Sequence, residues 1–410
     1  MSSRKKLVVI GGGAAGFFCA VNAARMNPLL EVVIVEKTSK LLSKVKVSGG
    51  GRCNVTHSCF DIVEMSKRYP RGGNFVKKTF HQFFTTDTIN WFEERGVKLK
   101  TEADGRMFPV TNSSQTIIDC LLKEVNRYGV EIMMNREVKS VNVQSSMFNI
   151  QFSSGETINA DFVCIACGGY PKSSMFSWLT ELGHSIEEPV PSLFTFNIPG
   201  HAITQLMGVS VENAKVKVNG TKLEQTGPLL ITHWGLSGPA VLRLSAWGAR
   251  GLKERNWEFG ISVSWLAERE QQVREMFQEF RQTNASQKII TKNVFALPNR
   301  LWEFLATGSG ITAEMRWADL PAAAQNKFIK NLCGYELQVK GKTIFKEEFV
   351  TAGGIKLNEV DANSMMSKKI PNLFFAGEIA DVDGVTGGFN FQHAWTSGFI
   401  AGKNIAHLSS

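Results

Sequence analysis

Gly11, Gly13 and Gly16, with Glu36 twenty residues after the last of them, have a spacing that suits one chemistry: gripping a pyrophosphate and the sugar beside it. Gly11 permits a tight turn, Gly13 lets the backbone approach a phosphate, and Gly16 lets the next helix lie close to the strand. Ala14 and Ala15 lie within this turn, and the helix that follows offers free N–H groups and a positive dipole end to the anion. Glu36 accepts hydrogen bonds from ribose hydroxyls and repels a 2′-phosphate, which selects FAD or NAD over NADP. Lys37 follows the acid.

Further groups repeat the theme. Lys46, Ser48, Gly50, Gly51, Arg52, Cys53 and Asn54 lie within one short stretch. Its three consecutive glycines cost backbone entropy, and that cost suits a chain passing close to a ligand. Lys46 and Arg52 make that ligand an anion. Cys167 and Gly168 end an apolar run at 160–166, where an open α/β sheet places its ligand contacts. Gly377, Glu378 and Asp383 precede Gly387, Gly388, Phe389, Asn390 and Phe391, which open the last helix. The start of that helix is expected to face a flavin edge that gains negative charge on reduction, stabilised by Asn390 and the N–H groups of residues 387–389. Arg52 and His393 are expected to orient substrate, and His233 is a further candidate. Cys164 and Cys167 are not a metal or redox pair, because residues three apart on a strand face opposite sides and no second pair completes four ligands.

The elements that must position these residues are legible. Leu7–Ile10 and Val32–Val35 read as buried parallel strands around a helix that starts at Gly16. A helix is expected over 76–95 and another over 112–128, capped by Asn112 or Ser113 and closed by Gly129. Asp104-Gly105 marks a hairpin. After Pro189-Val190-Pro191 the strand–helix alternation stops. Val211–Val218 enters a hairpin at Asn219-Gly220, strands follow at 229–232 and 260–265, and Pro239 opens a short helix. Helices are expected over 267–282, 294–306 and 319–332. Alternation returns at Glu348, and Asn372–Glu378 is one more buried strand. The domains are therefore 1–190 with 345–410, a β-rich insertion at 191–265 with 335–344, and a helical subdomain at 266–334.

The chain has 410 residues, 43% of them hydrophobic. It contains no run of about 18 apolar residues long enough to cross a membrane. Its amino terminus does not read as a signal peptide, and seven scattered cysteines fit reduced thiols and a cytoplasmic protein. The net charge of +9 fits a protein that binds an anionic dinucleotide, and also leaves open a polyanionic partner such as RNA.

Four ordered motifs together resemble the bile-acid-inducible-N-like group of NAD(P)/FAD-dependent oxidoreductases, over nearly the whole chain. They are Gly11–Gly16, Val47–Asn54, Thr232–Pro239, and Gly377–Gly384 with Thr386–Gln392. The resemblance implies an α/β fold: a discontinuous Rossmann-like FAD domain with an inserted β-barrel and a small helical subdomain. It implies that the glycine motifs and Val138 contact FAD, that Glu36 holds the adenosine ribose, and that 377–392 lies by the ribityl chain and isoalloxazine. The chain departs from the group's pattern at Cys167, at 172–178 and at His393. The expected activity is a flavin oxidoreductase reduced by NAD(P)H and acting on a small molecule. The alternatives are a flavin-dependent nucleic-acid-modifying enzyme and a non-catalytic FAD-binding protein.

Overall fold

The computed structural model describes residues 4–144, 147–343 and 350–410. They form two compact units, residues 1–192 with 346–410 and residues 193–345. Among the described residues no helix is long and apolar enough to cross a membrane.

The first unit is built on a parallel sheet. Its strands, in chain order, are β1 (Lys6–Ile10), β2 (Glu31–Val35), β3 (Glu131–Met133), β4 (Phe162–Ile165) and β5 (Leu373–Phe375). Their spatial order is β5-β4-β1-β2-β3. Leu7 pairs with Val32 on one side and Phe162 on the other. The central strands are buried on both faces, which explains their unbroken apolar runs. Helix α1 (Ala14–Met26) follows β1, and the last helix, α2 (Phe389–Leu408), packs along it. The close approach depends on glycine. A Cβ at Gly398 would lie 2.5 Å from the Ala15 carbonyl oxygen, and one at Gly402 would lie 2.5 Å from that of Cys19.

The second unit is an antiparallel sheet of seven strands. Its spatial order is Tyr335–Lys340, Glu258–Ser264, Ser210–Val218, Glu224–Thr232, Gly235–Ser237, Thr195–Asn197 and Lys342–Thr343. The first and last of these are separated in the chain by Gly341 alone, so the sheet curls round and closes as a barrel. Helices Glu270–Thr283, Asn299–Gly308 and Ala322–Cys333 share one apolar core with it, where Phe277, Trp302, Trp317 and Phe328 meet Ile261 and Val263.

Several elements differ from the sequence expectation. The helix expected over 76–95 is two helices, Gly73–Thr79 and Thr85–Glu93. The chain turns at 80–84 to bury Phe80, Phe83 and Phe84, and Asp87 takes the Phe84 N–H as a cap. The helix opened by Pro239 is long, reaching Glu254. Ser113, one of the two expected caps, accepts from the Gln115 N–H.

Candidate dinucleotide-binding site

The carboxyl ends of β1, β4 and β5 gather the glycine motifs. At the end of β1 a Cβ on Gly11 would meet the Ala166 carbonyl oxygen at 2.5 Å, and one on Gly16 would meet the Gly11 carbonyl oxygen at 2.0 Å. A Cβ added to Gly13 would meet no heavy atom within 4 Å, so the cradle is open on that face. The N–H groups of Ala14, Ala15 and Gly16 make no hydrogen bond among the described residues, as the first turn of a helix requires. They are aligned donors for an anion. Glu36 ends β2 and is already aimed at this turn. Its Oε2 accepts the Gly12 N–H at 2.9 Å, and its Oε1 accepts both the N–H and hydroxyl of Thr38 at 2.9 Å. A carboxylate has about four lone-pair sites, so free acceptor capacity remains for sugar hydroxyls. These features fit the adenosine pyrophosphate of a dinucleotide.

Cys167 lies against Gly11. Its sulfur accepts the Tyr170 hydroxyl at 3.2 Å, and burial pushes the thiol up to about 11, so it stays protonated at neutral pH. The Cys164 thiol instead lies against the free Cys19 thiol in the interior, within hydrogen-bonding reach. The two thiols thus have separate partners.

In the second motif a helical turn from Ser43 gives way at Ser48, and Gly49, Gly50 and Gly51 follow with φ of 58°, 68° and 82°. Cys53 also has positive φ, is fully buried, and has its thiol pushed up to about 12. Arg52 braces the loop. Its Nε donates to the Gly49 carbonyl at 3.3 Å, its guanidinium pairs with Glu102 at 2.5 Å, and it lies 4.0 Å over the Phe108 ring. Asn54 donates to the Thr56 carbonyl at 3.0 Å and accepts the Gly388 N–H at 2.9 Å, joining this motif to the carboxy-terminal one. The Ser48 hydroxyl turns back to the Val45 carbonyl, and the Lys46 carbonyl accepts from Ser114.

The carboxy-terminal motif begins beside α1, where a Cβ on Gly377 would lie 2.9 Å from the Ala15 Cβ. Glu378 accepts the Thr351 N–H at 2.7 Å and pairs with Lys44 at 2.6 Å. Asp383 is fully buried, gripped by both sides of the Arg71 guanidinium and by the Ser192 hydroxyl. Burial raises its carboxyl pKa, and Arg71 opposes that rise. Gly387 and Gly388, with φ of 139° and 93°, turn the chain into α2. The N–H groups of Phe389, Asn390 and Phe391 make no hydrogen bond among the described residues. The Asn390 side chain is occupied by Gly384, to which it makes two 2.8 Å bonds. His393 is 2% exposed, with Nε2 3.3 Å from the Gly377 carbonyl oxygen. Burial pushes its imidazole down to about 4, so it is neutral and donates from Nε2.

The structure therefore brings Gly11, Gly13, Ala14, Ala15, Gly16, Glu36, Cys167 and Gly377 to one cradle, and ties Asn54 to Gly388. It commits the side chains of Arg52, Asp383 and Asn390 to protein partners. Val138 lies on a strand paired with Phe152, and His233 belongs to the second unit, against Trp234. Three residues escaped the sequence reading: His57, stacked on Phe389 at 4.9 Å, and Tyr69 and Arg71, which hold the carboxy-terminal motif. The Tyr69–Gly72 stretch that supplies two of them carries no ligand signature.

The family description "HI0933-like protein Rossmann domain" matches residues 5–404. The chain is 28% identical over 413 residues to the 3-dehydro-bile acid delta(4,6)-reductase of Clostridium scindens, covering 98% of this chain and 99% of the relative. It is also 28% identical over 412 residues to the ribosomal RNA dihydrouridine synthase of Escherichia coli, covering 98% of each. Among solved structures it is similar in fold to a flavocytochrome c3 fumarate reductase, with a TM-score of 0.53, 17% identity, and coverage of 100% of this chain and 79% of that one.

Proposed function

The chain belongs to the HI0933-like Rossmann-domain family, and on that premise we propose that it is an FAD-dependent oxidoreductase that reduces a carbon–carbon double bond conjugated to a carbonyl. The observation that carries this reading is the pair of open helix starts in one unit. α1 offers three free N–H groups beside Glu36, α2 offers three beside Gly388, and Gly377 touches Ala15 between them. A ligand with a pyrophosphate at one end and an electron-accepting ring at the other matches both. When bound, FAD supplies the hydride.

The protein's own groups have separate tasks. The α1 N–H groups neutralise the pyrophosphate, and Glu36 receives the ribose hydroxyls. The 48–54 loop, braced by Arg52, keeps its backbone close to the ligand. The N–H groups of Phe389, Asn390 and Phe391 would stabilise negative charge developing on the bound ring, and being fixed beforehand they would need no reorganisation. NAD(P)H is the proposed reductant, bound transiently, since the sequence has no second complete Gly-x-Gly-x-x-Gly.

The relatives' names supply the acceptor chemistry. A 3-dehydro-bile acid with delta(4,6) unsaturation and a uridine ring both carry a double bond conjugated to a carbonyl, and both products gain two hydrogens across it. A small enone is the first reading of the acceptor. The second is a uracil in ribosomal RNA, favoured by the net charge of +9, which would lower the cost of approaching a polyanion. The test incubates FAD-loaded protein and NAD(P)H with a 3-oxo-Δ4 steroid, or with ribosomal RNA lacking dihydrouridine, and reads the product mass. Two added hydrogens on the steroid support the first reading, and on a uridine the second. Absence of both products would contradict the conjugated-alkene assignment.

A further inference from the structure

The stretch Arg68–Gly72 runs alongside Val382–Phe389, and its contacts are continuous. The Val385 N–H donates to the Arg68 carbonyl at 2.9 Å. Arg71 and Asp383 form an antiparallel bridge as well as an ion pair. A Cβ on Gly72 would lie 2.6 Å from Val382, and one on Gly384 would lie 3.2 Å from the Tyr69 ring. The Tyr69 ring meets the Phe389 ring edge-on at 6.2 Å. Its hydroxyl, buried with the rest of the side chain, donates to the Phe389 carbonyl at 2.6 Å.

That carbonyl is half of a peptide group whose other half is the Asn390 N–H, one of the three free donors at the start of α2. A strong hydrogen bond to a peptide oxygen polarises the group and makes its N–H a better donor. The Asn390 side chain, held twice by Gly384, fixes the direction of that N–H. Burial raises the Tyr69 pKa well above its ordinary value, so the phenol keeps its proton.

We propose that Tyr69 is a positioning residue for the reduced flavin: by donating to the Phe389 carbonyl it strengthens the Asn390 N–H that faces the ring. The inference rests on the FAD reading above and adds a residue outside every glycine motif. Donors that favour the electron-rich reduced ring raise the flavin's midpoint potential, so the phenol sets that potential from one peptide group away.

The experiment measures the midpoint potential of FAD-loaded protein by equilibration with a redox dye. Tyr69→Phe keeps the ring and removes the hydroxyl, and it should lower the potential with FAD stoichiometry unchanged. Site-specific 3-fluorotyrosine at position 69 is a stronger hydrogen-bond donor and should shift the potential upward. Opposite shifts support the inference. Unchanged potentials, or shifts in the same direction, overturn it. If Tyr69→Phe fails to fold, the fluorotyrosine protein decides, because it retains the hydroxyl and the fold. A wild-type protein that takes up no FAD overturns the cofactor reading, and this inference with it.

Discussion

Glu36 is the residue with the plainest test. A charge-assisted hydrogen bond contributes about 1.5–3 kcal/mol, so Glu36→Ala should weaken FAD binding by roughly 10- to 150-fold in a titration of apoprotein. The loss includes the bonds to Gly12 and Thr38, which orient the turn. Glu36 was legible because its spacing from Gly16 is set by one helix and one strand. Asn390 was legible as a position but not as a contact, because nothing local shows that its amide closes on Gly384. A second test concerns pH. His184 is buried between the Glu359 carboxylate at 3.0 Å and the Ser367 hydroxyl at 3.2 Å. Burial lowers its pKa below 6.5, outweighing Glu359, so the unfolded state takes up a proton first and stability falls as pH drops below about 6.5. Glu359 is held at about 2 by Lys369, Ser185 and His184 against the opposing cost of burial. Its share of stability is present above the ordinary carboxylate range and is lost between about 4.5 and 2. Urea midpoints should therefore decline in two acid steps, and His184→Gln should remove the upper one. A wild-type midpoint flat from pH 7 to 5 would contradict this.

At the scale of elements, the α1–α2 contact positions both open helix starts. Gly398→Ala would drive a Cβ against the Ala15 backbone, where no side chain can yield. Overpacking of this kind costs about 1–3 kcal/mol, and here it also displaces the turn that holds the pyrophosphate. The thermal midpoint and the FAD affinity should fall together. Gly251→Ala is the control, because nothing lies within 4 Å of its added Cβ, and it should be neutral or stabilise by about 0.4–1 kcal/mol. Equal effects from the two substitutions would argue against the close-contact reading. Strands β1, β2 and β4 were readable because burial on both faces leaves an unbroken apolar run. The break at 80–84 was not, because the phenylalanines that end one helix and precede the next keep helical spacing across it while tertiary burial sets the turn.

In the whole molecule the second unit is an insertion, and closure of its barrel depends on Thr195–Asn197 pairing with Lys342–Thr343 from the far end of that insertion. A pairing so distant in sequence leaves no local pattern. The same separation governs the first unit, where β5 and α2 lie after the insertion yet complete the sheet and carry the carboxy-terminal part of the candidate site. Truncation after Lys342 should therefore abolish FAD binding although Gly11–Glu36 remains, and full affinity in the shortened chain would contradict a site shared by both ends. The most direct measurement is anaerobic stopped-flow mixing of FAD-loaded protein with NADH or NADPH, followed by a conjugated enone. The account predicts loss of oxidised flavin absorbance faster than with free FAD, then its return as the double bond is reduced. A chain that takes up no flavin, or one whose flavin neither nicotinamide bleaches faster than free FAD, would contradict it.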